Sequence, residues 1–172
     1  MENSTLRLII TYSIFLDIFL LVYLMGRTPF LSFKIGNIAP FLLLSALMAL
    51  CMFFNEWYGF IFGIVCGVLK DCSAVGTGCF NTIALMLIGA VAGFVASRFL
   101  NKNFKAAAML TFVAAILYFA LHFTASVLFS AEVNKLGYLL TISLPSAVYS
   151  TLFIIPFYFL FKFLYKRLNA EN

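Results

Sequence analysis

Six apolar runs follow one another along almost the whole chain, and this succession constrains the fold more than any other feature. The runs cover residues 8–25, 38–54, 57–71, 80–99, 106–129 and 138–161. A helix that crosses a bilayer needs about 20 mostly apolar residues, and backbone groups inside lipid must find their hydrogen bonds within the chain. We therefore expect an all-α integral membrane protein, with residues 1–172 forming a single transmembrane domain, a compact bundle of six transmembrane helices.

The composition excludes a soluble domain. Hydrophobic residues make up 65% of the chain and charged residues only 10%, whereas soluble domains contain about 45–50% and about 25%. The net charge is +5, but the basic residues lie singly or in small groups at the ends of the apolar runs. A nucleic-acid binding surface would need a continuous basic stripe, so we expect no nucleic-acid partner.

The basic residues also predict an orientation, because six spans place both termini on one side. The side of the termini holds seven of them: Arg7, Arg98, Lys102, Lys105, Lys162, Lys166 and Arg167. The opposite side holds four: Arg27, Lys34, Lys70 and Lys135. Since Lys and Arg accumulate in cytoplasmic loops, we expect both termini to be cytoplasmic.

Regularly spaced glycines mark the third and fourth runs. Gly59, Gly63 and Gly67 recur every fourth residue, so a helix places them on one face, and Asp71 is the next step on that face. The following run carries a second pair of this spacing, Gly89 and Gly93. Helices in membranes approach closely where side chains are small. The pattern predicts a tight antiparallel helix pair, which forms either a rigid core or a groove that docks a partner helix.

Three ionisable residues inside or at the ends of the runs have two interpretations each. Asp17 and His122 form either a proton or ion relay or an interhelical hydrogen bond. Asp71 either accepts bonds from the N–H groups of the turn at residues 73–78, thereby ending its helix, or acts as a catalytic acid. The second role would need a polar partner in the same cleft, and the sequence offers no obvious one.

Other polar and special residues predict helix contacts and bends. Five hydroxyl residues within the runs are interpreted as helix-to-helix hydrogen bonds: Ser45, Thr82, Thr111, Ser143 and Ser150. Proline in the first turn of a helix costs no hydrogen bond, which suits Pro40 at the start of the second run. Pro145 and Pro156 lie inside the sixth run and predict bends, because each removes a backbone bond.

No catalytic or metal-binding motif is present. The sequence contains no nucleophile elbow, phosphate-binding loop, zinc-type His/Glu pair or paired carboxylates, so we expect no enzyme activity, no cofactor and no metal. The cysteines form no C-x-x-C pair. Cys51 and Cys66 lie in apolar runs and are interpreted as small apolar fillers, as are Cys72 and Cys79, for which a disulfide is the alternative.

The central third of the chain resembles the MreD family, the small integral-membrane member of the bacterial rod-shape system. The residues that carry the resemblance are Gly36-x-Ile38-Ala39-Pro40, then Gly59-Phe60-x-x-Gly63-x-x-x-Gly67-x-x-x-Asp71, then Gly78-x-x-Asn81 with Gly89 and Gly93. The resemblance implies a non-enzymatic scaffold of peptidoglycan elongation in the bacterial inner membrane. It implies as partners an MreC-like protein, MreB, RodA and a class B penicillin-binding protein, besides membrane lipids. It also implies a fold similar to the substrate-binding subunits of energy-coupling-factor transporters.

Two other functions are compatible with parts of the sequence. The first is a vitamin-binding subunit of an energy-coupling-factor transporter, which would carry a ladder of small residues on its first helix. Residues 14–25 are mainly Leu, Ile, Phe and Tyr instead. The second is a small proton-linked transporter that uses Asp17 and His122, although the internal repeat of many transporters is missing.

Overall fold

The computed structural model describes residues 2–28, 40–73, 78–100, 102–129 and 144–170. All regular structure in these ranges is α-helical, which confirms the predicted all-α class. The helices are α1 (Glu2–Arg27), α2 (Leu42–Phe53), α3 (Glu56–Asp71), α4 (Phe80–Phe99), α5 (Phe104–Phe129), α6 (Leu144–Leu152) and α7 (Ile154–Ala170). Within the described residues, four segments are long and apolar enough to cross a membrane: Ile10–Arg27, Phe80–Phe99, Phe104–Thr124 and Pro145–Arg167.

Helix α2 is the central element of the bundle. Each of its residues from Leu42 to Phe53 is buried, and it contacts all six of the other described helices. A helix that is apolar on every side is stable only when it is surrounded. With 12 residues, α2 is only about 18 Å long, which is shorter than the roughly 30 Å hydrocarbon core of a bilayer.

The start of α2 differs from the sequence prediction. Pro40 was expected in the first turn, but Phe41 is the residue that precedes the helix and α2 begins at Leu42. Pro40 therefore lies outside the helix. The physical reason is the backbone of Phe41, whose φ of −89° and ψ of 76° are not helical; its N–H donates to the hydroxyl Oγ of Ser150 at 2.8 Å.

Aromatic side chains join α1 to α3. The rings of Tyr12 and Tyr58 stack with centroids 5.0 Å apart, and the rings of Phe19 and Phe62 stack at 5.2 Å. Tyr12 comes before Phe19 in α1, and its partner Tyr58 comes before Phe62 in α3. The two helices therefore run in the same direction. Most of the other side chains of α1 between Ile10 and Arg27 are exposed.

The bundle has two distinguishable ends. At the first, the Lys102 Nζ donates to the Tyr165 hydroxyl at 3.0 Å, and the Tyr158 hydroxyl donates to the carbonyl of Lys102 at 2.8 Å. We call this the Lys102 end; it contains the α2–α3 turn and the connection between α4 and α5. The opposite end, the Lys70 end, contains the last turns of α1 and α3 and the first turns of α2 and α4.

The predicted sixth span is interrupted in the structure. Helix α6 ends at Leu152 and α7 begins at Ile154. Pro156 explains the break, because it has no N–H for the carbonyl of Leu152 and its ring crowds that carbonyl. Leu144 is the first described residue of α6, and the residues before it, on which a bend at Pro145 depends, lie outside the described residues, so that bend stays a prediction.

Two buried serines connect the broken helix to α2. The Ser45 hydroxyl donates to the carbonyl of Ser150 at 2.7 Å, one of the carbonyls that a helix end leaves without an intrahelical partner. The Ser150 hydroxyl accepts the bond from Phe41 N–H and donates to the Ser146 carbonyl at 2.7 Å. Ser45 and Ser150 thus form the helix-to-helix bonds predicted for them, whereas Thr111 donates within its own helix to Ala107. Ser143 lies outside the described residues.

We expect Ser150→Ala to lower the free energy of unfolding by about 1–2 kcal/mol, because it leaves the Phe41 N–H buried without its acceptor. The measurement is reversible unfolding in mixed micelles with increasing SDS. Ser97→Ala is the matched control, since Ser97 is exposed and bonds only within its own helix. Equal effects of the two substitutions would contradict the assigned role of Ser150.

Candidate functional site

The glycines of α3 and α4 lie against one another with their backbones in contact. Gly59 and Gly89 face each other directly, and Gly67 faces the backbone of Thr82. A Cβ atom added at Gly63 would lie 2.6 Å from the carbonyl oxygen of Leu85. Such separations leave no room for any side chain, so the two helices approach as closely as their backbones allow.

The contact continues to the Lys102 end, where a Cβ atom at Gly93 would lie 2.9 Å from the Cα of Glu56. The start of α3 contacts the end of α4, and the end of α3 contacts the start of α4. The two helices are therefore antiparallel. The two glycine faces therefore cover each other within one chain. In this arrangement they hold α3 and α4 together and do not leave an open groove between them.

Asp71 binds the start of α4 through both of its carboxylate oxygens. Its Oδ1 accepts bonds from the backbone N–H of Asn81 at 3.2 Å and from the Nδ2 of Asn81 at 2.7 Å. Its Oδ2 accepts bonds from the backbone N–H of Thr82 at 2.8 Å and from the Oγ1 of Thr82 at 2.6 Å. Four groups of α4 are therefore held by one side chain of α3.

This carboxylate replaces the missing cap of α4. The residue that precedes the helix, Cys79, makes no side-chain capping bond, although the first N–H groups of a helix have no partner inside it. Asp71 satisfies two of them, and its negative charge is favourable at the positive end of the helix dipole. From the sequence, the donors to Asp71 were predicted in the turn at 73–78. The donors described here belong to Asn81 and Thr82, whereas residues 74–77 lie outside the described residues.

Asn81 extends this network to a third helix. Its side chain is buried, and its Oδ1 accepts a bond from the Tyr118 hydroxyl of α5 at 2.6 Å. The Tyr118 ring in turn lies 4.7 Å from the ring of Phe41. We call Asp71, Asn81, Thr82 and Tyr118 the polar junction, because together they connect α3, α4 and α5.

Sequence reasoning missed Asn81 as a partner of Asp71, and Tyr118 as the partner of Asn81. The available signals were an amide in the first turn of an apolar run and a single tyrosine within the fifth run. Among the described residues, every buried side-chain nitrogen or oxygen has a hydrogen-bond partner. The polar junction therefore suits the positioning of helices, since the carboxylate bonds it makes are to groups of the chain itself.

Asp17 and His122 lie in different surroundings. Asp17 is exposed on α1, on the side away from the buried Phe15 and Phe19. His122 is exposed on α5, where its ring lies 6.1 Å from the ring of Phe80 and 6.2 Å from that of Tyr118. Within the described part of the chain, no hydrogen bond or ion pair joins Asp17 to His122.

The cysteines are free thiols in this structure. Cys51 and Cys66 are buried, and Cys72 and Cys79 are exposed. Among the described residues, no group of three or more His, Cys, Asp or Glu side chains is arranged to hold a metal ion.

Among the comparisons with known proteins, a match to a protein family covers nearly the whole chain. No curated protein and no solved structure matches it. The sequence pattern of one family, described as rod shape-determining protein MreD, matches residues 6–168. This match includes both glycine faces and the polar junction. The chain belongs to the MreD family of rod shape-determining membrane proteins.

Proposed function

We propose that the chain is a non-enzymatic scaffold of the peptidoglycan elongation machinery, and that it binds the transmembrane helix of an MreC-like partner. Family membership gives the role in rod-shape determination. The observation that carries the finer proposal is a mid-helix carboxylate, Asp17, on the exposed surface of a helix whose other side is anchored to a tightly packed bundle.

The exposed surface of α1 has the spacing of a helix-packing seam. Ile10, Ile14, Asp17, Leu21 and Leu24 are all exposed, and we call them the α1 outer face. They follow one another at intervals of four, three, four and three residues, the pattern by which two long helices pack along a common stripe. Four of the five are large and apolar, so the seam fits another membrane helix.

Asp17 specifies the chemistry of that second helix. A carboxylate that faced lipid at this depth would be costly, and such residues normally contact other protein groups. The partner helix should therefore carry an apolar seam and, at the depth of Asp17, a hydrogen-bond donor or a basic side chain. Through this partner the scaffold joins the wider complex of MreB, RodA and a class B penicillin-binding protein.

The glycine faces have a different part in this proposal. Because α3 and α4 cover each other's glycines, these faces supply rigidity, and the docking surface is the α1 outer face. A rigid bundle keeps α1 in a fixed position, which lowers the entropic cost of binding a partner.

The proposal includes one membrane domain with six crossings, in which α6 and α7 together form the last crossing. Both termini lie in the cytoplasm, on the side of the Lys102 end. Arg98, Lys102 and Lys162 support this orientation, since they belong to that end and basic residues are enriched in cytoplasmic segments. The likeness to energy-coupling-factor subunits remains a prediction.

Replacing Asp17 tests the docking surface. We expect Asp17→Leu to reduce co-purification of the MreC-like partner in mild detergent by about 3-fold to 18-fold, which corresponds to the average and the largest measured interhelical hydrogen bonds in membranes. Asp17→Asn should be milder, because an amide still forms hydrogen bonds. Ser97→Leu, on the exposed surface of α4, is the control. Unchanged capture by Asp17→Leu, or an equal loss with Ser97→Leu, would contradict the proposal.

Two observations favour the scaffold over the other functions considered. The family match is to shape-determining proteins, which disfavours a vitamin-binding subunit. Asp17 lies on the surface of α1 while His122 lies against Phe80 and Tyr118, which disfavours a proton relay between them. Native mass spectrometry of protein purified without added vitamins distinguishes the first alternative, since a vitamin-binding subunit would retain a tight small ligand.

A further inference from the structure

A groove of about 390 Å³ opens at the Lys70 end of the bundle. Its walls are the last turns of α1 and α3 and the residues at the start of α2. Val22, Phe41 and Leu43 form an apolar part of the wall, and Tyr23, Arg27 and Lys70 contribute polar groups. The groove is therefore amphipathic, with its cations near the ends of two helices.

Two positive charges border the groove. The Arg27 Nε donates to the Tyr23 hydroxyl at 3.4 Å, which uses one of the five N–H donors of a guanidinium. The Lys70 Nζ lies 4.9 Å from the centre of the Phe41 ring, so that the ring holds the ammonium against the wall. The described residues that line the groove include two basic side chains and no acidic one.

The groove lies at the level where a lipid headgroup would be found. Arg27 is the last residue of the apolar segment Ile10–Arg27, and Lys70 is in the last turn of α3. Val22 lies more than one helical turn deeper along α1, and Leu43 lies inside α2. A molecule with an anionic head and an apolar chain would meet charge at one end of the groove and hydrocarbon at the other.

We propose that this groove binds the phosphate headgroup of an anionic phospholipid, with Arg27 and Lys70 as its ligands. Arginine suits phosphate because its planar donors match two phosphate oxygens at once. Basic pockets between transmembrane helices bind lipid headgroups on the cytoplasmic side of membranes, and we extend the same chemistry to the Lys70 end, which is the outer side in the proposed orientation. The apolar wall distinguishes a lipid from free phosphate, because only a lipid has a chain to place on Val22 and Leu43.

Gly26 provides a second, steric test of the same site. It lines the groove, and a Cβ atom added there would have no neighbour within 4 Å. A larger side chain at this position can therefore occupy the groove without displacing the backbone. Gly26→Phe should block lipid binding while it keeps both charges.

The experiment titrates the purified full-length protein in neutral detergent with phosphatidylglycerol and counts bound lipid by native mass spectrometry. We expect Arg27→Gln and Lys70→Gln each to weaken the first binding event by about 5-fold, and the double variant by about 30-fold. Gly26→Phe should weaken it at least as much as one charge removal. Lys105→Gln, an exposed charge outside the groove, should have no effect.

The outcomes separate the possible ligands. Unchanged binding by the double variant, or an equal loss in Lys105→Gln, would overturn the site, and so would equal binding of phosphatidylcholine. Full competition by millimolar inorganic phosphate would overturn the lipid as ligand. Circular dichroism and the fluorescence of the single Trp57 verify folding of each variant. Asp17→Leu should retain lipid binding, and the double variant should retain partner capture, so that this proposal and the scaffold proposal fail separately.

Discussion

Gly63→Leu is expected to lower the free energy of unfolding by about 3 kcal/mol, the upper part of the usual range for overpacking. The added Cβ alone would lie 2.6 Å from the carbonyl oxygen of Leu85 and 3.0 Å from the Cα of Met86. Both are backbone atoms, which cannot rotate away as the tip of a side chain can. The strain is relieved only if α3 and α4 separate, and that separation also disturbs the polar junction.

The measurement for Gly63→Leu is SDS-induced unfolding in mixed micelles. Gly26→Leu is a matched control, because it makes the same chemical change in a helix at a position with open space around the new Cβ. It should leave stability unchanged or raise it slightly, since leucine favours helices more than glycine does. If both variants unfold at the same SDS fraction, the contact between α3 and α4 is not as described.

Asp71→Leu is the second substitution with a large expected effect, a loss of about 3 kcal/mol. It removes the cap of α4, typically worth about 1 kcal/mol, and it leaves the buried Asn81 amide without its acceptor, at a cost of about 1–3 kcal/mol. Asp71→Asn should cost less, because the amide oxygen still accepts bonds from α4. Its charge is lost, so the favourable interaction with the helix dipole disappears.

Hydrogen exchange gives the site-specific readout for Asp71. The backbone amides of Asn81 and Thr82 should exchange much faster in Asp71→Leu, while amides in the middle of α4 should change less. Asp17→Leu is the control in the isolated protein, because it removes an exposed carboxylate that caps no helix. Equal destabilisation by Asp17→Leu and Asp71→Leu, without faster exchange at Asn81 and Thr82, would contradict the capping role.

Local sequence patterns were sufficient for the helices that carry the glycines. The run at 57–71 corresponds to α3, Glu56–Asp71, and the run at 80–99 coincides with α4, Phe80–Phe99. Hydropathy marks the length of such a helix, and the spacing of small residues marks the face along which another helix can approach. Both signals lie within about twenty residues of sequence, so neither requires knowledge of the rest of the fold.

The central position of α2 could not be read from the same signals. In a soluble protein a completely apolar helix indicates burial, but in a membrane protein lipid-facing and core-facing residues are both apolar. Leu42 to Phe53 therefore has the same hydropathic character as the exposed surface of α5. Only the arrangement of all the helices places α2 in the middle.

The polar junction was predicted in part. Asp71 was recognised as a helix-terminal acceptor, but its partners Asn81 and Thr82 are on the next helix, and Asn81 in turn accepts a bond from Tyr118 of α5. Their meeting depends on how closely Gly67 lets α3 approach Thr82. The contact between Asn81 and Tyr118 joins residues 37 positions apart in the chain, a distance over which a sequence pattern gives no register.

Photo-crosslinking in cells tests the proposed docking surface most directly. A benzophenone amino acid replaces Leu21 on the α1 outer face in one variant and Val91 on the exposed surface of α4 in another; both positions are exposed in the isolated chain. The account predicts a crosslink from position 21 to the membrane helix of the MreC-like partner and none from position 91. A crosslink to that partner from position 91 and not from position 21 would contradict it.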